Sequence, residues 1–133
     1  MDITDKTLPL NLFTWATSEL SQDAFLAWLL SWADASAATV DPSLHAAGRA
    51  LLNALLSLHR ETLPANSSVR VRRQLGQTDI VAEIDDDLCL AIEDKVHAPI
   101  HGDQLPRCAS ALRKLYPSHR VLPTFFQNRE PWG

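Results

Sequence analysis

In the stretch "TDIVAEIDDDLCLAIEDK", residues 78–95, Asp79 stands thirteen intervening residues ahead of Glu93-Asp94-Lys95. Two carboxylates and an amine at that spacing can act together only if the chain folds back between them. Two apolar runs flank three consecutive aspartates, and aspartates are turn formers best kept in water. Side chains alternate between the two faces of a strand. Asp79, Val81 and Glu83 therefore share one face of the first run, and Cys89, Ala91, Glu93 and Lys95 share one face of the second. With Asp85, Asp86 and Asp87 as the loop, Ile84 pairs with Leu88 and the numbers in every cross-strand pair sum to 172. Asp79 then lies across from Glu93, with Cβ atoms roughly 5 Å apart. A five-residue loop keeps this register; a four-residue loop breaks it unless a bulge intervenes.

Like charges facing each other destabilise a sheet. Either they decorate a solvent-facing strand end with Lys95 as their counter-charge, or a cation sits between them. A hard divalent ion suits the second case, because Mg²⁺ is typically held by one or two carboxylates plus substrate phosphate. An amine beside it can position or deprotonate the attacking water.

The flanking elements must position this hairpin. "TSELSQDAFLAWLLSWAD" offers Ser18 or Ser21 as helix N-caps and acids in the first turn. Its body is apolar nearly all round, which predicts a largely buried helix. After Asp41-Pro42 a second helix carries Leu44, Ala47, Leu51, Leu55 and Leu58 at helical spacing. "SVRVRRQL" alternates valine with arginine, as a half-exposed strand does. Strands over 79–84 and 88–95 follow. A helix over about residues 103–116 presents Leu105, Ala109, Leu112 and Tyr116, and "HRVLPTFF" reads as a last strand for which Pro123 suggests an edge position or an early end. The expected fold is α/β (α+β): a central mixed β-sheet of about four strands flanked by helices, with a right-handed final β-α-β step.

At 133 residues the chain fits one domain, 1–133, and its 46% hydrophobic and 21% charged residues exclude wholesale disorder. The net charge of −4 excludes a generally basic coat but leaves room for a local basic groove. Cys89 and Cys108 sit in apolar patterns without metal-ligand spacing, as buried thiols of a reducing cytoplasm do. "MDITDKTLPL" is not a secretory signal, and the apolar run at residues 24–33 is too short to cross a bilayer. The expectation is a soluble, cytoplasmic protein with no membrane partner.

The ordered blocks resemble the PD-(D/E)XK nuclease superfamily. Asp79 followed by Glu93-Asp94-Lys95 is similar to its signature, "ELSQDAFLAWLLSWAD" to the N-terminal helix of bacterial members, and "GDQLPR" to the start of the helix after the motif. The resemblance covers most of the chain. It implies a restriction-endonuclease-like core and a divalent-metal-dependent nuclease that hydrolyses phosphodiester bonds, with DNA as the expected substrate. Asp79 and Glu93 would bind Mg²⁺ (or Mn²⁺), with the Asp94 carbonyl as a further ligand. Lys95 would orient or activate the attacking water. Glu19 would match the acid aimed into the site from the first helix, and Gln104 the glutamine beside the lysine. Thr78 stands where a proline is usual, and Cys108 where relatives often carry a tyrosine. The chain stops soon after "FFQNREPWG", where many relatives continue. A truncated C-terminus, or a homodimer or partner subunit that supplies the missing contacts, is the corresponding expectation.

Several of these residues have plainer readings. Glu19 and Asp23 suit the first turn of a helix, Gln104 suits an exposed first turn, and Glu83, near the loop, suits a structural role. His97 and His101 straddle Pro99, which forbids a helical metal pair; they could contact phosphate instead. Arg70, Arg72, Arg73, Arg107, Arg113 and Lys114 offer phosphate contacts or a solvated face. Two rival functions stand beside the nuclease. One is a catalytically inactive module with the same fold that binds nucleic acid or protein; the other is an interaction protein whose acidic face mimics nucleic acid.

Overall fold

The computed structural model describes residues 22–75, 78–94 and 104–126, apart from the side chains of residues 22, 94, 104–108, 125 and 126. Along the described residues run helix α1 (Gln22–Ser31), a 3-10 helix (Ala35–Thr39), helix α2 (Pro42–Ser57), strands β1 (Val69–Leu75), β2 (Thr78–Ile84) and β3 (Leu88–Asp94), helix α3 (Gln104–Leu115) and strand β4 (Arg120–Phe126). The strands form one sheet in the order β1-β2-β3-β4, with β2 and β3 antiparallel and β3 and β4 parallel. The fold is α+β, with a four-stranded mixed sheet and three α-helices among the described residues. The backbone groups into two compact units, Met1–Val71 and Arg72–Gly133.

In the first unit, α1 buries Ala24, Leu26, Ala27, Leu30 and Ser31, but Phe25 is 44% exposed and tilts against Trp28 with ring centroids 5.8 Å apart. The helix is thus largely buried, as its composition predicts, with Phe25 as the exposed exception among its described side chains. Ser18, Ser21 and Glu19 lie outside the described residues. α2 starts as Asp41-Pro42 predicts: the Asp41 carboxylate accepts from Leu44 N at 3.1 Å, and Pro42 occupies the first turn, where no backbone donor is needed. Its buried face is Gly48, Leu52, Leu55 and Leu56, whereas Ala47 and Leu58 are exposed. The apolar spacing placed this face about a quarter-turn away, through Leu44, Ala47 and Leu51, whereas Leu52, Leu56 and Gly48, which does not register as apolar, face inward.

Asp34 joins the helical segment to the first strand. It caps the 3-10 helix, accepting from Ser36 N, and its other oxygen accepts from Val69 N at 2.7 Å across 35 residues. Ala35 N donates to Ser67 O beside it at 3.0 Å. Hydrogen bonds to a charged acceptor are each worth about 1.5–3 kcal/mol. Asp34→Ala should therefore lower unfolding stability by about 2–3 kcal/mol in urea melts, and Asp34→Asn, which keeps an acceptor, by clearly less. Equal losses in both variants would show that shape rather than hydrogen bonding matters there.

In the second unit, both faces of the central strands are buried. On one face lie Ile80, Ala82, Ile84, Leu88, Leu90 and Ile92. On the other, Val81, Cys89, Ala91 and Val121 pack with Ala109 and Leu112 of α3, with Leu75 and Tyr116 at the margin. Among the described residues β4 is an edge strand, and it runs on through Pro123, which stands opposite Ala91, rather than ending there. No helix among the described residues is long and apolar enough to cross a membrane.

Candidate active site on the odd-numbered sheet face

The β2–β3 register runs from Ile84↔Leu88 to Ile80↔Ile92, so paired numbers sum to 172 and the loop is Asp85-Asp86-Asp87. Asp85 adopts a positive φ of 51°, a conformation aspartate tolerates better than most residues. Carried one pair outward, the same register sets Asp79 across from Glu93, each within its strand. Both stand on the odd-numbered face, the one α3 covers. Glu93 is only 5% exposed; Asp79 is half-buried. The apolar pair Val81 and Ala91 separates this end of the face from Glu83, which stands opposite Cys89, and from the aspartate loop.

The other proposed residues are placed unequally. Asp94 ends β3, and its backbone continues from Glu93, which leaves its carbonyl adjacent in the chain. Gln104 is the first residue of α3. Because Tyr116, just past the end of α3, reaches Glu83, the helix starts toward the opposite end of the face, where Glu93 lies. Lys95, Glu19, His97 and His101 lie outside the described residues. Among the described residues no group of three or more His, Cys, Asp and Glu gathers in one place. A two-carboxylate Mg²⁺ site does not require one.

Glu83 has the structural role expected of it, with partners that local sequence could not name. Its Oε2 accepts from Arg72 Nε at 2.6 Å and from Tyr116 Oη at 2.9 Å. The hydrogen bond to Glu83 raises the Arg72 pKa further above its ordinary value. Tyr116 counted as apolar in the periodicity of α3, and its hydroxyl is the feature that periodicity missed. As the chain's only tyrosine, ending an apolar stripe, it invited a search for an acceptor.

No protein-family model matches the chain, and neither does any curated protein or solved structure. Its chemistry therefore has to be read from its own residues.

Burial works against a reactive thiolate at Cys89. The residue is fully buried, and burial first and the Glu83 charge second push its thiol up to about 12. Tyr116 is also raised, by burial and then by its hydrogen bond to Glu83. For both groups the folded chain holds its proton where the unfolded chain has lost it. Their stabilisation is thus complete below the unfolded thiol value of 9.0 and is lost as pH climbs toward about 12. One such group gives a slope of at most about 1.4 kcal/mol per pH unit. Melting temperature should fall steadily above pH 9, less so in Cys89→Ala, and tyrosinate absorbance should appear only as the chain unfolds. Tyrosinate formed at pH 10 in the folded protein would contradict this.

Proposed function

We propose that the chain is a divalent-metal-dependent nuclease of the PD-(D/E)XK kind, a soluble cytoplasmic enzyme with a restriction-endonuclease-like core acting on DNA. The observation that carries this reading is the hairpin register, which brings one carboxylate from each arm of the hairpin to the same end of one sheet face. The donor set fits the cation. Both side chains offer hard oxygen ligands, and a like-charged pair with Glu93 nearly buried gains from a shared counter-charge.

Asp79 and Glu93 hold Mg²⁺ or Mn²⁺, with the Asp94 carbonyl as a further oxygen. When bound, the cation supplies Lewis-acid polarisation of the phosphoryl oxygen and offsets charge on the leaving oxygen. Lys95, two residues beyond Glu93 and of the same strand parity, positions the attacking water and assists its deprotonation. In this reading Gln104, which opens α3, takes the part of the glutamine beside the lysine, and Glu19 that of a further acid, as the resemblance implies. The apolar patch of Val81, Cys89 and Ala91 limits water on the loop side of the pair.

The deciding experiment incubates the purified protein with plasmid and linear DNA in Mg²⁺, Mn²⁺ or EDTA, beside Lys95→Ala. Cleavage by the wild type in metal, absent with EDTA and absent in the variant, is the expected result. No cleavage of DNA or RNA, together with no metal binding in calorimetry, would overturn the reading in favour of a binding module.

A further inference from the structure

The three-way contact of Glu83 lies outside the candidate site and joins three elements. One carboxylate oxygen on β2 accepts from Arg72 on β1 and from Tyr116 just past the end of α3. Glu83 is 15% exposed at its side chain and Arg72 46%, so the Tyr116 bond is the better shielded from water. Tyr116 is held from a second side by an edge-on contact with His119, centroids 5.1 Å apart. Elsewhere α3 meets the sheet through Ala109 and Leu112. Apolar contacts of this size resist separation but give little resistance to sliding, because dispersion and burial are not directional. A hydrogen bond is directional and fixes position along the helix axis.

We propose that Tyr116 and Glu83 are positioning residues: their hydrogen bond sets where α3 lies along the sheet, and thereby where Gln104 stands relative to Asp79 and Glu93. This rests on the nuclease reading above. A helix of 12 residues is about 18 Å long, and a rigid rod passes a shift at one end to the other. Displacements near 1 Å at a reacting centre can cost about 100-fold in rate. Tyr116 thus acts on the chemistry from the far end of its helix, without touching substrate.

The test uses Tyr116→Phe, Glu83→Leu and Glu83→Gln, assayed for metal-dependent DNA cleavage well below each melting temperature. Tyr116→Phe and Glu83→Leu should lower kcat roughly 10- to 100-fold with KM for DNA within about twofold. Glu83→Gln keeps an acceptor oxygen and should restore most of the rate. In metal-free protein the amides of residues 109–112 should exchange roughly 10-fold faster in Tyr116→Phe than in wild type. Wild-type kcat and wild-type exchange in Tyr116→Phe would overturn the positioning role, as would Glu83→Gln failing as badly as Glu83→Leu. A wild type that cleaves nothing would instead overturn the nuclease reading, and this inference with it.

Discussion

On the proposed reading, Asp79→Asn should abolish Mg²⁺-dependent DNA cleavage, by about 100- to 1,000-fold or more, in a protein that still folds. Asp79 is half-buried and belongs to no apolar cluster, so the amide replaces the carboxylate with almost no change in packing. What changes is charge. Carried one pair beyond Ile80↔Ile92, the register sets Asp79 across from Glu93, so the substitution removes one of two neighbouring like charges. Loss of activity in a variant that still melts cooperatively would separate loss of the carboxylate from damage to the fold. A second signature needs no substrate. Mg²⁺ at 100 times its dissociation constant should stabilise the wild type by about 2.7 kcal/mol and the variant by little. Glu93, at 5% exposed, is best tested as Glu93→Gln, since alanine would add a cavity to the loss of charge. Full activity in Asp79→Asn would remove this residue from the mechanism.

Gly48→Ala should destabilise the chain by about 3 kcal/mol, lowering its melting temperature by about 10 °C. Helix propensity argues the reverse, since alanine in a helix interior gains about 1 kcal/mol over glycine. Sterics decide the sign. A Cβ on Gly48 would lie 2.6 Å from Leu29 O, 2.8 Å from Ala33 N and 3.1 Å from Trp32 C. All three are backbone atoms that no rotamer change can move, so α2 would have to retreat from the end of α1. The same junction carries the bond from His45 Nδ1 to Trp32 O at 2.8 Å, and retreat would stretch it. A Gly48→Ala protein as stable as wild type would show that the two helices shift apart at no cost.

The hairpin was legible in the sequence because strand parity is a counting rule. Three aspartates leave an odd loop, and an odd loop brings Asp79 and Glu93 to one face whatever else the chain does. Helix α2 was legible in extent and less so in orientation. Asp41-Pro42 marks its start through local chemistry, whereas its buried face depends on Gly48, whose importance lies in what it lacks. Phe25 shows the converse limit: an apolar residue in an apolar helix is exposed because burial is decided by neighbours, which composition does not contain. The Arg72–Glu83–Tyr116 contact joins residues 11 and 33 positions apart through tertiary pairing, and no local pattern encodes such a meeting. Asp79 and Glu93 lie in β2 and β3 and Gln104 opens α3, while Lys95 and Glu19 lie outside the described residues.

Pro123 has a consequence for how copies of this protein behave when crowded. A proline interrupts no ladder bond only where its nitrogen faces away from the neighbouring strand, so on β4 the row of amides turned outward lacks a member. A foreign strand laid along that border would find a gap where it needs a donor. At this border, therefore, one imino acid works against lengthening of the sheet by recruitment, whereas β1 at the opposite border has none.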